Sequence, residues 1–192
     1  MAFPTTSVGS RAMLGKSVVA AAPRGQDLRV IDMRVLTTDD WKLWRTLRLA
    51  ALAEAPYAFG SRLADWQGAG GREQRWQDRL AIPGSQNLLA SLDARPVGMV
   101  SGVPTGEDGV VELISLWVEA SARGVGVGDA LIRAVERWAR SNRATALRLA
   151  VRYGNGHAVA LYRRHGFEVV AGADVVENGQ REMVMVKPID PR

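Results

Sequence analysis

Three alternating glycines between a strand-like and a helix-like segment constrain this chain more than any other feature. Residues 110–118 form an apolar run typical of a β-strand, and residues 129–140 show the periodicity of an amphipathic helix. The segment between them contains Arg123-Gly124-Val125-Gly126-Val127-Gly128. Glycines at such a turn leave successive backbone N–H groups uncovered at the positive end of a helix dipole. This arrangement indicates a phosphate site, and therefore a nucleotide-bearing ligand.

The length and composition indicate an ordinary globular protein. A chain of 192 residues can form one domain with a substantial core, and its hydrophobic fraction of 47% is typical of soluble proteins. No apolar run is long enough to cross a membrane, so we predict a cytoplasmic protein without a membrane partner. The chain contains no cysteine and only two histidines, which excludes disulfides and thiolate chemistry and disfavours a bound metal.

The positive charge does not by itself indicate a nucleic-acid partner. The formal net charge is +5, and the basic residues are mostly arginine. These arginines are dispersed and are not interleaved with aromatic residues, as a nucleic-acid surface would require. Two interpretations of the charge remain, namely a solvated basic surface and arginines that bind phosphate.

The first 27 residues differ from the rest of the chain. They are rich in small residues and show no sustained period, so we interpret residues 1–27 as a loosely ordered extension. An overlong start, with Met33 as the initiator, and a signal peptide are the alternatives, but the apolar segment at residues 17–22 is short for the latter. Residues 28–192 would then form the folded domain.

From residue 28 onward, strand and helix patterns alternate. The strand-like segments are residues 28–36, 87–92, 96–103, 110–118, 146–151, 167–170 and 181–187. The helix-like segments are residues 39–53, 72–81, 127–141 and 156–164. Asn178-Gly179 predicts a tight hairpin before the last strand. This order predicts an α/β fold with a mixed sheet of six or seven strands and about four helices.

A second informative segment runs from Asn155 to Phe167. Its helix places four side chains on one face, those of Ala158, Leu161, Tyr162 and His165. Gly166 is suited to a left-handed helix end, and Phe167 begins a buried strand. A tyrosine at the centre of such a face is, when seen alone, usually a core residue.

Together the two segments resemble the GNAT superfamily, the acyl-CoA-dependent N-acetyltransferases. The family's phosphate loop, Gln/Arg-x-x-Gly-x-Gly/Ala, is matched by Arg123, Gly126 and Gly128. The second element, Asn-x-x-Ala-x-x-Leu-Tyr-x-x-x-Gly-Phe, is matched in full by Asn155, Ala158, Leu161, Tyr162, Gly166 and Phe167. Ala120 replaces a proline that many members carry, which affects loop shape and no chemistry. The resemblance covers the chain from residue 28 to residue 189.

A dinucleotide-binding fold is the competing interpretation of a glycine turn. Its fingerprint, Gly-x-Gly-x-x-Gly, fails here because Leu131 occupies the third glycine position when counted from Gly126. No acidic residue stands at the end of the next strand, where a carboxylate would be required to bind the ribose. We therefore do not adopt this interpretation.

The resemblance implies a mostly antiparallel sheet whose fourth and fifth strands, residues 110–118 and 146–151, splay apart. It implies that acetyl-CoA, the acyl donor, places its pyrophosphate on the backbone N–H groups of Gly124, Val125, Gly126, Val127, Gly128 and Asp129. Arg123 either binds phosphate or holds the loop in shape. The backbone of Leu116, Trp117 and Val118 would pair with the pantetheine amides, and the Val118 N–H would form an oxyanion site. Trp117 is either a core residue or a ligand contact.

Two residues are the candidate catalytic groups. The resemblance assigns Tyr162 as the acid toward the departing thiolate, although transfer from a phenol of pKa near 10 to a thiol of pKa near 8.5 is uphill by about 2 kcal/mol. Hydrogen bonding to the thiolate is therefore its main expected contribution. Glu112 stands where histone-type members carry a glutamate base, and it would act through a water. Strict alternation places Glu112 on one face with Ile114, Leu116 and Val118. An exposed carboxylate at the strand start is the alternative.

The remaining site residues have open roles. Asn155 either caps the helix that follows it or contacts the pantetheine arm. Arg163 and Arg164 either reach the 3′-phosphate or remain solvated. The acceptor pocket is expected from the first helix, residues 55–71 and the loop near residues 172–180, with an aromatic wall of Trp41, Trp44, Tyr57, Phe59 and Trp66.

The sequence therefore predicts an acetyl-CoA-dependent N-acetyltransferase that acts on a primary amine of a small molecule by direct attack on the thioester. Acetylation of a protein N-terminus or lysine is the first alternative. A CoA-binding module without turnover and an enzyme acting on aminoacyl-tRNA are the others. Family members often dimerise, so a homodimer is also expected.

Overall fold

The computed structural model describes residues 18–19, 30–177 and 179–190. Within these residues the strands are β1 (Val18–Val19), β2 (Val30–Leu36), β3 (Gln86–Leu92), β4 (Arg95–Pro104), β5 (Val110–Val118), β6 (Ala146–Arg152), β7 (Glu168–Val169), β8 (Val175–Glu177) and β9 (Gln180–Pro188). The α-helices are α1 (Trp41–Glu54), α2 (Glu73–Leu80), α3 (Val127–Ser141) and α4 (Gly156–Arg164). Most of residues 1–27 lie outside the described residues, and Asn178 of the expected hairpin does so too. The described pair Val18–Val19 adds a short antiparallel strand beside β2.

The strands form one mixed sheet, which confirms the predicted fold class. Their order is β1-β2-β3-β4-β5-β6-β9-β7, with β8 also paired to β9. All neighbours are antiparallel except β5 and β6, which are parallel. Nine strands are present in the described chain, against the predicted six or seven, because β1 and β8, with two and three residues, were not predicted. Such short strands show no alternation that a sequence pattern could reveal.

Local sequence explains where the main elements begin and end. The backbone N–H of Thr37 donates to the Asp40 carboxylate at 2.9 Å, which caps the short 3₁₀ turn before α1. Asp93 and Ala94 both have positive φ angles, 51° and 64°, as a two-residue hairpin between β3 and β4 requires. The helices at residues 127–141 and 156–164 match the predicted bounds.

Helices cover both faces of the sheet and bury a separate apolar cluster on each. On one face α3 contributes Leu131, Ile132 and Val135 to a cluster that also contains Tyr162 of α4. On the other face α1 and α2 contribute Trp44, Leu47, Trp76 and Leu80, which pack on Leu89, Met99 and Trp117 of the sheet. Full burial of each such large side chain stabilises the fold by about 1.5–3 kcal/mol. No helix in the described ranges has the length and apolar character that crossing a membrane demands.

Strand β5 contains a bulge at Ser115. This residue has a φ of 59°, which is rare outside glycine, and the pairing register with β4 shifts at the same point. Met99 pairs with Trp117, whereas Ser101 pairs with Ile114, so β5 carries one residue more than β4 between these two pairs. The bulge therefore reverses which face the following side chains occupy.

The reversal corrects the face predicted for Glu112. Val111 and Leu113 belong to the cluster under α3, and after the bulge Leu116 and Val118 pack on that same cluster. Glu112 alternates with Val111, so it faces the side of α1 and α2. The prediction that Glu112 shares a face with Leu116 and Val118 was wrong, because strict alternation does not survive an extra residue.

The two central parallel strands separate after three residue pairs. β5 and β6 pair at Val110–Ala146, Val111–Leu147 and Glu112–Arg148, and no pair follows. The remaining residues of β5 therefore have no strand beside them on that side. This is the predicted splay, and it opens a gap through the middle of the sheet.

Candidate active site

A cavity of about 590 Å³ occupies the gap between the separated ends of β5 and β6. Residues 123–129, which we call the glycine loop, form one wall, and the start of α4 forms another. Residues 55–59, which follow α1, and the last residues of β5 also contribute. We call this space the first cavity.

Each glycine of the loop meets a different steric demand. Gly124 and Gly126 have φ angles of 78° and 90°, a region that side chains disfavour. Gly128 has an ordinary conformation, but an added Cβ would lie 3.2 Å from Leu161 Cδ2. Gly128 therefore allows α3 to approach α4 across the first cavity.

The glycine loop presents backbone N–H groups that the helix does not use. The first intrahelical bond runs from the Ala130 N–H to the Gly126 carbonyl at 2.9 Å. The N–H groups of Val127, Gly128 and Asp129 precede it and have no acceptor within the helix. They lie at the positive end of the 15-residue helix α3, which favours a bound anion.

Arg123 makes contacts that hold the loop in place. Its Nε donates to the Val118 carbonyl at 2.9 Å, and its guanidinium forms an ion pair with Glu54 at the end of α1. The side chain thus joins the glycine loop to β5 and to α1. Of the two roles that the sequence left open, these contacts favour the shaping of the loop.

The register of β4 and β5 decides which backbone groups face the first cavity. The Glu119 N–H donates to the Val97 carbonyl at 2.8 Å, so Gly98 and Val118 form a non-hydrogen-bonded pair. The N–H of Val118 therefore points away from β4 and toward the gap. This direction is the one that the predicted oxyanion site requires.

Trp117 differs from its two neighbours. It pairs with Met99, one residue beyond the non-hydrogen-bonded pair, so its backbone is engaged with β4. Its side chain is 7% exposed and belongs to the cluster under α1 and α2. The backbone of Trp117 is therefore engaged with β4, whereas the backbone groups of Leu116 and Val118 are directed toward the gap; all three residues line the first cavity.

Tyr162 of α4 lies at the gap between β5 and β6 and lines the first cavity. Its side chain is 8% exposed and meets Phe167 edge to face, with ring centroids 5.8 Å apart. Burial raises the pKa of Tyr162 well above the ordinary value for a phenol. The hydroxyl therefore stays protonated, which suits it to donating a hydrogen bond more than to releasing a proton.

The carboxylate of Asp129, in the first turn of α3, binds side chains at the end of α4. It accepts hydrogen bonds from His165 Nε2 at 2.8 Å and from Arg164 at 3.3 Å. Burial raises the pKa of Asp129, but hydrogen bonds and charge from His165 and Arg164 outweigh it and leave the pKa lowered. Arg164, one of the two candidates for the 3′-phosphate, is thus already paired with Asp129.

Asn155 caps α4, as one of its two predicted roles requires. Its side-chain oxygen accepts from the Ala158 N–H at 3.2 Å. Asn155 also lines the first cavity. The cap fixes the start of the helix that carries Tyr162.

A second cavity of about 310 Å³ lies on the side of α1 and α2. Among the predicted aromatic residues, Trp44, Phe59 and Trp66 line it, whereas Tyr57 lines only the first cavity. Trp41 packs on the cluster beneath α1 and lines neither space. The described residues of the loop near 172–180 line neither of these cavities, whereas Glu182 of β9 lines the second one.

The two cavities share part of their lining. Leu116, Ala150 and Tyr162 belong to both, together with Ala58 and Phe59. Two of the shared residues, Leu116 and Ala150, lie on the strands that separate, and Tyr162 lies on α4. The gap in the sheet therefore connects one cavity to the other.

Glu112 lines the second cavity. Its carboxylate lies 3.8 Å from Arg148 Nε, and Arg148 also binds Glu107 at 2.7 Å. The bulge at Ser115 thus brings the candidate base to the α1–α2 side of the sheet. The Glu112 side chain is 34% exposed near the start of β5 and also borders the second cavity, so its position is compatible with both interpretations.

Sequence reasoning missed four charged residues of the second cavity and its border. Arg48, Arg79 and Glu182 line the cavity. Arg152 binds Glu182 at 3.2 Å and donates to the Phe59 carbonyl at 2.6 Å, which fixes the loop that follows α1. The available signal was a charged residue at the last position of β6 and another near the start of β9, but their pairing requires knowledge of the topology.

This arrangement is that of a known family. Residues 47–167 match the model of the acetyltransferase (GNAT) family. The matched region spans more than half of the chain and includes both segments singled out above. The chain therefore belongs to the GNAT acetyltransferase family, a class of N-acetyltransferase enzymes.

Solved structures of the same fold support this assignment. A GNAT-family acetyltransferase from Streptococcus pneumoniae is 18% identical, with a TM-score of 0.67 over 83% of this chain and 99% of that one. Ribosomal-protein-alanine N-acetyltransferase from Brucella melitensis is 24% identical, with a TM-score of 0.63 over 82% and 99%. The PaiA N-acetyltransferase of Thermoplasma acidophilum, in complex with coenzyme A, is 16% identical, with a TM-score of 0.66 over 83% and 99%. Comparison with curated protein sequences finds no significant match.

Proposed function

We propose that this protein transfers the acetyl group of acetyl-CoA to a primary amine of a small molecule. The observation that carries the proposal is the junction of the two cavities at Leu116, Ala150 and Tyr162. A donor in the first cavity and an amine in the second would meet through the gap in the sheet. The chain has no cysteine, so direct attack on the thioester requires no thiol intermediate on the protein.

The residues of the first cavity fit acetyl-CoA. The N–H groups of residues 127–129 have no acceptor within α3 and would bind an anion, and an added Cβ at Gly128 would lie 3.2 Å from Leu161 at the wall of the first cavity. Leu116 and Val118 offer backbone groups along the open side of β5. Acetyl-CoA would supply the activated acyl group and a thiolate leaving group.

Three groups of this chain would then promote the reaction. The Val118 N–H would stabilise negative charge on the acyl oxygen, a contribution worth about 10²–10³ in rate for comparable donors. The Tyr162 hydroxyl would donate a hydrogen bond to the leaving sulfur. Glu112 would accept a proton from the attacking amine through a water, since it lines the cavity that receives the amine.

The second cavity favours a small acceptor. Its volume of about 310 Å³ is at the lower end of the range for small-molecule sites. Trp44, Phe59 and Trp66 supply apolar and aromatic walls, and the bond from Arg152 holds Phe59 in place. The N-terminal amine of a protein is the competing acceptor, because the Brucella melitensis structure of the same fold is a ribosomal-protein-alanine N-acetyltransferase.

Release of the CoA thiol, followed with a thiol-reactive dye, tests the proposal. The protein has no cysteine and adds no background signal. Polyamines, aminoglycosides, amino acids, arylamines and short peptides would be compared as acceptors. Acceptor-dependent release with a small amine is expected. Release with peptides alone would overturn the small-molecule acceptor, and no release with any acceptor would overturn the proposed activity.

Two tyrosine variants separate chemistry from folding. Tyr162→Phe is expected to lower kcat by about 10²-fold while the KM for acetyl-CoA changes little, as for loss of a transition-state hydrogen bond. Tyr153→Phe is the matched control, because the Tyr153 hydroxyl bonds to Asp174 at 2.9 Å on the surface. Equal kcat values for Tyr162→Phe and the wild type would remove Tyr162 from the reaction.

A further inference from the structure

The second cavity is lined by two basic and two acidic residues, and both acidic residues have arginine partners outside the lining. Its charged lining residues are Arg48, Arg79, Glu112 and Glu182. Both carboxylates face arginines beyond the lining, since Glu182 binds Arg152 at 3.2 Å and Glu112 lies 3.8 Å from Arg148. The negative charge of the cavity is therefore already compensated.

Among the residues that the structure describes, Arg79 has only neutral hydrogen-bond partners. Its Nη1 donates to Asn87 Oδ1 at 3.1 Å, and its Nη2 donates to Ser101 Oγ at 3.0 Å. The guanidinium carbon lies 5.4 Å from the ring centroid of Trp44. Within the described residues, no carboxylate forms an ion pair with Arg79. A guanidinium has five N–H donors, so the two bonds leave donors available.

The surroundings hold Arg79 in a fixed orientation. Asn87 and Ser101 are 2% and 0% exposed, and Ser101 Oγ donates to Asn87 Oδ1 at 2.7 Å. Asn87 in turn donates to the Leu80 carbonyl at 3.2 Å. Burial lowers the pKa of Arg79 to about 10, so the side chain remains a cation at neutral pH.

Arg79 is partly buried, and a cation removed from water without a counter-charge is costly unless a partner compensates it. The fork of a guanidinium matches the geometry of a carboxylate, which it binds through two parallel hydrogen bonds. Arg48 also lines the cavity and stacks on Phe59, with its guanidinium carbon 4.5 Å from the ring centroid. The cavity is thus built to receive an anionic group as well as an amine.

We propose that the acceptor is an amino acid, that is, an amine that also carries a carboxylate, and that Arg79 binds this carboxylate. The inference rests on the proposed function, because it assigns the acceptor to the second cavity. The amine would point to the junction at Leu116 and Tyr162, where the two cavities meet. Trp44 and Phe59 would enclose the apolar part of the acceptor.

Binding of reaction products tests the inference without turnover. N-acetylated α-, β- and ω-amino acids, each paired with the corresponding amide, would be titrated into the CoA-bound protein by calorimetry. At least one acid is expected to bind about tenfold or more tighter than its amide, because only the acid can form charge-assisted bonds to Arg79. The inference would be overturned if no acid in the panel binds more tightly than its amide.

Two variants assign the preference to Arg79. In the Arg79→Met variant, each acid and its amide are expected to bind with about equal affinity. Arg45→Met is the matched control, since Arg45 is an exposed arginine of α1 that lines neither cavity. If Arg79→Met does not fold, Arg79→Lys serves in its place, and a ratio reduced several-fold is expected because the fork is lost while the charge remains. An unchanged ratio in a folded Arg79 variant would overturn the inference.

The thiol-release assay keeps the two proposals distinguishable. Rapid acetylation of amines without a carboxylate, together with equal binding of acids and amides, would leave the proposed function intact and overturn the role of Arg79. Absence of release with every acceptor would overturn the proposed function. The affinity ratio of acid to amide would still report on Arg79 in that case.

Discussion

Arg123 and Val118 are joined by a hydrogen bond of 2.9 Å between the guanidinium Nε and the backbone carbonyl. The bond ties the first residue of the glycine loop to the last residue of β5. Because the Val118 N–H points toward the same gap as its carbonyl, the bond also fixes the orientation of the candidate oxyanion donor. The proposed phosphate site and the proposed reacting centre are thereby joined by a direct contact.

Arg123→Gln is expected to raise the KM for acetyl-CoA about tenfold. A hydrogen bond from a charged group contributes about 1.5 kcal/mol at the lower end of its range, which suits a half-exposed side chain. The exposed ion pair with Glu54 adds little. Steady-state kinetics would measure the change, with Arg133→Gln on the exposed face of α3 as the control. A lower kcat at constant KM would contradict the proposed loop-shaping role.

Gly126→Ala is expected to lower stability, whereas Gly128→Ala is expected to weaken CoA binding. Gly126 has a φ of 90°, so alanine there should lower the free energy of unfolding by about 1–2 kcal/mol. Gly128 lacks this conformation, and its alanine Cβ would meet Leu161 at 3.2 Å beside the first cavity. Gly128→Ala should therefore weaken CoA binding while the free energy of unfolding stays within about 1 kcal/mol of the wild type. Denaturant titration and CoA calorimetry would measure the two effects, and the same loss of stability in both variants would contradict this division.

Glu112→Gln is expected to remove the acidic limb of the pH profile of kcat/KM if Glu112 accepts the proton of the amine. Glu107→Gln is a close control, because both carboxylates contact Arg148 but only Glu112 lines the second cavity. The Glu107 variant should retain the wild-type profile. Overlapping profiles for Glu112→Gln and the wild type would exclude Glu112 as the base.

Tyr162 should make the protein lose stability in alkaline solution. Because burial raises the pKa of Tyr162 in the folded state, its stabilising contribution is complete below the unfolded pKa of about 10. Above that pH the unfolded chain releases the proton first, and the contribution falls by up to about 1.4 kcal/mol per pH unit. Thermal unfolding between pH 9 and 11 should therefore show a steeper decline for the wild type than for Tyr162→Phe. Parallel curves would contradict a buried phenol at this position.

The sequence predicted the first cavity better than the second. Gly126, Gly128 and Tyr162 belong to contiguous segments, and each segment determines its own turn or helix. Such local patterns identify a phosphate loop and the helix that faces it without knowledge of tertiary contacts. The parallel pairing and separation of β5 and β6 followed from the resemblance to a family, since no local pattern encodes it.

The second cavity depends on contacts between distant residues. Arg79 and Ser101 are 22 positions apart, and Arg152 and Glu182 are 30 positions apart. Neither pair shows a periodicity that links its members. The wrong face assigned to Glu112 has another cause, because the conformation of Ser115 breaks the alternation on which the assignment depended. Ser115 itself carries no turn signal in the sequence.

Because of the extra residue at Ser115, the two parts of β5 can change independently in evolution. Residues 111–114 of β5 precede Ser115 in the chain, and residues 116–118 follow it. The odd-numbered residues before Ser115 lie on the same face of the sheet as the even-numbered residues after it. A substitution at Ile114 would therefore change the lining of the second cavity without moving the backbone groups of Leu116 and Val118. Such a strand can acquire new substrates while its reaction chemistry is inherited unchanged.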